Sequence, residues 1–251
     1  MSKWIKAFRM RTLPLAISSI LMGGFIAFEN SFTNWEVLLL AILTTLFLQI
    51  LSNLANDYGD FVNGTDNENR LGPARTMQSG VITKNSMKRA IVLFVLLSLC
   101  SGVYLVYTSF GSENLLKILL FMAIGIIAIM AAIRYTIGKG AYGYSGLGDV
   151  FVFVFFGLVA VLGTYFLISL SFNYLVILPA VTMGLFSTAV LNLNNLRDFK
   201  NDAASGKNTI IVRIGFVNGK KYQLILIAGA WMAFLTYLVL TDAAWNNYLE
   251  L

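Results

Sequence analysis

The sequence predicts an all-α fold, a polytopic transmembrane bundle of about seven helices forming a single integral membrane domain over residues 1–251, and three observations carry that reading. The chain is 58% hydrophobic and only 12% charged, with a mean hydropathy of +0.76, far from the values of a soluble domain. Apolar stretches long enough to cross a hydrocarbon core, which takes roughly 20 residues, recur seven times. Lysine and arginine gather in every second connecting segment, the signature of one membrane face.

The elements follow in order. A first span over about 12–28 comes after Lys3, Lys6, Arg9 and Arg11. This basic start resembles a signal peptide, but no small-residue cleavage site follows Ile26 and further apolar runs continue, so it reads as a permanent helix. A short turn from Glu29 to Trp35 leads to the second span, about 36–56, which runs into an acid-rich segment. The third, about 90–110, holds the single cysteine, Cys100, read as a small buried hydrophobe; one cysteine excludes a disulfide framework and a thiolate metal site.

The fourth span, about 115–133, ends at Arg134 and Lys139. The fifth, about 150–170, follows Gly146-Leu147-Gly148, and Asp149 at its start reads as an N-cap or as a charge set against the helix dipole. The sixth covers about 174–194, with Pro179 near its outer end, and the seventh about 222–241. Seven spans place the N-terminus and the 57–89 and 194–221 loops on the positive face, which the positive-inside rule makes cytoplasmic. Lys117 is the lone cation opposite, and Asp242 and Glu250 fall outside. The expected location is the inner (cytoplasmic) membrane, multi-pass, with the functional face toward the cytoplasm.

A net charge of +6 invites a nucleic-acid reading, but its positions at the membrane boundary argue for no nucleic acid and for the lipid bilayer as the partner. The absence of histidine removes imidazole bases, His-ligated zinc and Ser-His-Asp triads. Chemistry must therefore run on carboxylates, amides, hydroxyls and cations.

Two polar clusters supply these groups. The second span ends Asn53-Leu-Ala-Asn-Asp-Tyr-Gly-Asp60, continuing to Asp66, and the sixth ends Asn192-Leu-Asn-Asn-Leu-Arg-Asp-Phe-Lys-Asn-Asp202. Asn56 and Asp60 lie four apart, as do Asn194, Asp198 and Asp202, so on continuing helices each set projects from one face. Both helices run in the same direction, which brings both ladders to the same boundary. Such oxygen donors suit a hard divalent ion, magnesium above all. Solvated helix ends, with Asp198 paired to Arg197 or Lys200, are the plainer alternative.

At these residues the sequence resembles the UbiA superfamily of intramembrane prenyltransferases, which carries one Asn-x-x-x-Asp-x-x-x-Asp motif in each half. The second motif matches fully at Asn194, Asp198 and Asp202. In the first, Asn56 and Asp60 match, but Gly64 stands where the last aspartate belongs and Asp66 lies two residues later. The stretches Trp4–Ala16, Asn53–Thr83, Tyr142–Asp149 and Gly206–Gly215 resemble the branch that acts on 1,4-dihydroxy-2-naphthoate. Family members usually have about nine helices, so against the seven read here the resemblance implies a chain short at its C-terminal end.

The resemblance implies transfer of a polyprenyl group from polyprenyl diphosphate to that aromatic acceptor with loss of carbon dioxide, giving demethylmenaquinone. Magnesium held by Asn56, Asp60, Asp66, Asn194, Asp198 and Asp202 would stabilise the departing diphosphate. Asp60, Asp198, Asp202, Lys207 and Arg213 are then the candidate catalytic residues. Arg75, Lys84, Arg134, Tyr142, Asp149 and Arg197 are candidates for substrate binding, with only a minority of the cations expected to touch ligand. Tyr58, Tyr135, Tyr142 and Tyr144 stand on the side where a ring face would stabilise an allylic cation, or where an interfacial tyrosine belt would lie. Another aromatic prenyltransferase of the same superfamily is the nearest alternative. A transporter fits less well, because the acids cluster at one face and no pair of broken helices offers a midplane site.

Overall fold

The computed structural model describes residues 3–67, 71 and 75–241. Arg70, Asp242 and Glu250 lie outside the described residues, and among those described every regular element is helical. Seven helical spans are long and apolar enough to cross a membrane: Lys3–Glu29, Trp35–Val62, Lys84–Phe110, Leu115–Arg134, Gly148–Ser169, Tyr174–Ala204 and Phe216–Leu240. Every expected span is present. The second and sixth outrun their apolar windows at the polar end, where carboxylate and amide side chains extend the helices toward water.

Local sequence sets the helix boundaries. The first span is α1 (Lys3–Phe8) and α2 (Leu13–Glu29), joined by a 3-10 turn at Met10–Thr12. The break falls at Arg9, whose backbone is left-handed at φ 52, an uncommon conformation for a residue other than glycine. Pro14, in the first turn of α2, lacks the N–H that would there have no intrahelical partner. Asn34 caps α3 (Trp35–Val62) by accepting from the Val37 amide at 3.1 Å. Thr83 caps α4 (Lys84–Phe110) in the same way through Ser86 at 3.3 Å. α5 spans Leu115–Arg134.

The fifth span is composite: α6 (Gly148–Val152), a π-helical stretch over Phe153–Leu162, and α7 (Gly163–Ser169). Beyond it lie α8 (Ile177–Ala204), the short α9 (Ile210–Ile214) and α10 (Phe216–Leu240).

α2 is the central strut. It packs on α3 and α8 and on the π-helical stretch and α7, while α4 and α5 flank α3 and α10 flanks α8. Small residues permit the closest crossings. A Cβ on Gly157 would stand 2.6 Å from the Ala180 carbonyl oxygen and from Gly184 Cα, so the π-helical stretch and α8 meet backbone to backbone. One apolar cluster, with Ile26, Leu38, Phe110, Val161 and Ala180, closes the end away from the acids. A second, with Leu51, Leu54, Met87 and Phe94, packs α1, α3 and α4 beneath the polar end. Outward leucines and valines on α4, α5 and α10 are exposed, as lipid-facing residues are. Cys100 is among the exposed residues rather than buried: its position on α4 turns it away from the bundle.

Candidate active site

α3 and α8 remain helical through Val62 and Ala204, so the four-residue spacing of the acids becomes a physical row on each. Both rows open on one cavity of about 1050 Å³. Asn56, Asp60, Asn194, Asp198 and Asp202 line it, together with Arg75, Tyr142, Arg197 and Lys207. Away from the polar end its walls are apolar, drawn from Leu48, Ile129, Phe155, Phe156, Leu158 and Val159 among others. It reaches Phe172 in the loop at the opposite end.

The halves of the chain are tied together at the cavity mouth. Asn201, on α8, donates through Nδ2 to the Thr65 carbonyl at 2.9 Å. The backbone amide of Lys207 donates to the Asp202 carbonyl at 2.9 Å, which turns its side chain back over the acids of α3. Its Nζ stands 3.3 Å from Asp60 Oδ1. Tyr144 donates its hydroxyl to the same oxygen at 2.9 Å and also pairs with Thr65 Oγ1 at 2.6 Å. Asp60 is 5% exposed and Lys207 9%, so this is a buried pair.

Burial opposes the charge on Lys207, but Asp60 and Asp202, with Tyr144 and the Asp60 hydrogen bond, outweigh it and hold the ammonium above its ordinary pKa. Burial, reinforced by Asp60, Asp149 and Asp202, pushes the Tyr135 phenol upward, so it stays neutral. Burial and then Asp60 likewise push Tyr144 to about 12, against smaller opposing contributions that include its bond with Thr65. A neutral phenol can donate a hydrogen bond or present a ring face, and Tyr144 does donate, to Asp60.

The remaining candidates divide by position. Asp198 forms a two-point pair with Arg197, Nε to Oδ1 at 2.9 Å and Nη2 to Oδ2 at 2.6 Å, at the more open side of the mouth. Asp66 is buried 3.7 Å from Arg75 Nε but does not line the cavity. Lys84 sits over the Phe61 ring at 5.4 Å, Arg134 donates to the Lys139 carbonyl at 3.4 Å, and Arg213 donates to the Ser145 carbonyl at 2.7 Å. None of these three cations lines the cavity, because each is engaged elsewhere: Lys84 at the end of α3, Arg134 within its own loop and Arg213 across to the loop between α5 and α6.

Asp149 does not cap α6, whose N-cap is Leu147. It is buried behind the cavity wall, where the Tyr222 hydroxyl donates to it at 3.2 Å.

Other residues at the mouth were not singled out by sequence reasoning. Asp57 accepts from Thr76 Oγ1. Arg9 reaches the cavity because of its left-handed backbone and lies in the field of Arg75, Asp57, Asp60 and Asp66. Asn53 secures that turn through Nδ2 to the Phe8 carbonyl at 2.9 Å and Thr12 Oγ1 at 3.0 Å. The sequence signals for Arg9 were its place in the Trp4–Ala16 stretch and in a basic start, where positive-inside charge explains it equally well.

A pair of carboxylate ladders from the two halves of an α-helical membrane chain, meeting over an apolar cavity, is the arrangement that the motifs led us to expect. A profile of the UbiA prenyltransferase family matches residues 16–249. The chain belongs to that family. It is 47% identical over 249 residues to a Haemophilus influenzae protein named 1,4-dihydroxy-2-naphthoate octaprenyltransferase, an alignment covering 98% of this chain and 80% of that one. An Escherichia coli protein of the same name is 46% identical over 227 residues, 90% of this chain and 73% of its own length. A Mycobacterium tuberculosis protein, again of that name, is 37% identical over 247 residues, covering 97% and 80%. No solved structure matches the chain significantly.

Proposed function

We propose that this chain transfers a polyprenyl group from polyprenyl diphosphate to 1,4-dihydroxy-2-naphthoate with loss of carbon dioxide, yielding demethylmenaquinol, the reduced form of demethylmenaquinone, for menaquinone biosynthesis. The observation that carries the reaction type is the cavity itself, with carboxylates from both halves of the chain at its mouth and an apolar interior behind them. The names of the relatives support the acceptor.

Among the described residues no three carboxylates cluster closely enough to hold an ion as they stand, and it is the chemistry of the lining that suits a divalent one. Asn56 Oδ1 and Asp57 Oδ1 are buried oxygens without a hydrogen-bond partner, an arrangement that costs free energy unless something satisfies them. The lining oxygens are all hard, and neither histidine nor cysteine competes. Asn56, Asp60, Asn194, Asp198 and Asp202 would hold magnesium, which when bound supplies Lewis-acid stabilisation of the diphosphate.

The chain's own residues do the rest. Lys207 and Arg75 oppose the charge that develops as the allylic carbon-oxygen bond breaks. The apolar wall at Phe155, Phe156 and Val159 takes the prenyl chain and keeps water from the allylic carbon. Tyr135 and Tyr142 present neutral rings near the mouth, their edge-to-face contact at 5.2 Å fixing both. The naphthoate carbon that bears the carboxylate forms the new carbon-carbon bond. Its bond to the carboxyl carbon then breaks, the electron pair returns to the ring, and carbon dioxide leaves, so no strong base is required.

The charge asymmetry supports a cytoplasmic orientation for this mouth, in the inner membrane. The test supplies purified protein with magnesium, a polyprenyl diphosphate and carboxyl-labelled 1,4-dihydroxy-2-naphthoate or 4-hydroxybenzoate in separate reactions. Prenylated product from the naphthoate, free of label, is expected. Retained label, or product from 4-hydroxybenzoate alone, would refute the acceptor. Full activity in excess EDTA would refute the role of the ion.

A further inference from the structure

Two loops converge on Asp60 from outside α3. One connects α5 to α6 and carries Tyr144; the other connects α8 to α9 and carries Lys207. They are joined to each other as well, because the Asn208 amide donates to the Tyr144 carbonyl at 3.2 Å and Arg213 Nη2 donates to the Ser145 carbonyl at 2.7 Å. Lys207 Nζ lies 5.3 Å from the centre of the Tyr144 ring. Both side chains therefore belong to one cross-linked cap, and both give their donors to the same atom, Asp60 Oδ1, at 3.3 and 2.9 Å. Gly140 and Gly146 bound the first loop and Gly206 opens the second, all at positive φ, where glycine turns the chain without strain.

We propose that the Tyr144–Lys207 cap and a divalent cation compete for the Asp60 carboxylate, and that the diphosphate draws Lys207 away so that ion and substrate enter together. The inference rests on the reading of Asp60 as an ion ligand. An ammonium at hydrogen-bond distance from Oδ1 repels a dication at the same oxygen, and each favours the carboxylate only where the other is not. Diphosphate reverses the sign: it offers Lys207 a second anion, so the cap keeps a partner while Asp60 is released. Lys207 and Tyr144 are thus exchange partners that position Asp60, and the cost of opening the cap makes ion binding depend on substrate.

The experiment measures Mn²⁺ binding to detergent-purified protein by equilibrium dialysis, with and without inorganic pyrophosphate at equal concentration in both chambers, so that Mn²⁺ chelated by pyrophosphate alone cancels. Lys207→Met keeps the aliphatic stem and deletes the charge. It is expected to bind Mn²⁺ alone about tenfold more tightly than the parent, the low end for removing a charge-assisted hydrogen bond to the competing carboxylate. Pyrophosphate should tighten Mn²⁺ binding in the parent and do so much less in Lys207→Met.

Tyr144→Phe deletes a single oxygen, keeps the ring beside Lys207, and should shift Mn²⁺ affinity in the same direction by less; it carries the test if Lys207→Met does not purify. Mn²⁺ binding that is unchanged or weaker in both variants would overturn the exchange while leaving Asp60 an ion ligand. Binding that is indifferent to Asp60→Asn would remove the ion reading and the exchange with it.

Discussion

Asp60→Asn separates two duties of this carboxylate, the pairing with Lys207 that the structure shows and the ion binding proposed above. As a buried partner of Lys207 it balances a charge that has little water around it. Deleting one member of such a pair costs about 3–5 kcal/mol, because the survivor stays buried and uncompensated. Asp202 remains close to Lys207 and offsets part of this, so the low end, about 3 kcal/mol, is the expected loss. In a chain of this length that is a fall of about 6–12 °C in melting temperature. As a ligand at the reacting diphosphate, the same carboxylate should be worth about 10²–10³ in turnover, the scale of a lost electrostatic contact to developing charge.

The double variant Asp60→Asn, Lys207→Met distinguishes the two duties, since it removes the stranded ammonium while leaving the ligand missing. Melting monitored by intrinsic fluorescence in detergent, beside a radiolabelled prenyl-transfer assay, should show stability recovered and turnover still lost. A double variant no more stable than Asp60→Asn would refute the buried-pair reasoning. A single variant that retains near-normal turnover would refute the role in chemistry.

Four further outcomes follow from particular contacts. Asp198→Asn should lose turnover as severely yet melt within a few degrees of the parent, because its pair with Arg197 is partly solvated and such pairs contribute about 0–1 kcal/mol. Asp149→Leu leaves the Tyr222 hydroxyl without its carboxylate and should cost about 1–3 kcal/mol in melting experiments while the KM for both substrates stays put, since Asp149 lies off the cavity. The raised pKa of Lys207 predicts that its stabilising share is fully present below the ordinary lysine value of 10.5 and is lost as pH rises through the higher folded value; melting temperatures taken upward from pH 8 should show this alkaline decline in the parent and not in Lys207→Met. A cysteine at Ser79 in a Cys100→Ala background should be labelled by an impermeant reagent in inside-out vesicles and not in intact cells, and the reverse pattern would overturn the orientation.

What the sequence determined by itself was everything that depends on local periodicity. Seven apolar windows became seven spans because a helix is the arrangement that satisfies its own backbone in lipid. The Asn56/Asp60 and Asn194/Asp198/Asp202 ladders became rows on one cavity because a spacing of four is one helical turn whatever the neighbours are. The cations were not legible in that way. Arg75, Arg197 and Lys207 line the cavity while Lys84, Arg134 and Arg213 do not, although all six lie in similar positive-inside segments.

A lysine or arginine head stands several rotatable bonds from its backbone, and a loop's course is fixed by contacts distant in sequence. The Asn208–Tyr144 hydrogen bond, which joins the two loops at the mouth, is one such contact. Arg9 reached the site only through a left-handed residue in a broken helix, and Asp149 left it because Tyr222, on another helix, takes its carboxylate. Which charges meet at the cavity, and which are engaged away from it, was decided by tertiary packing, since the free energy that selects among them comes from burial and pairing between segments that the sequence keeps far apart.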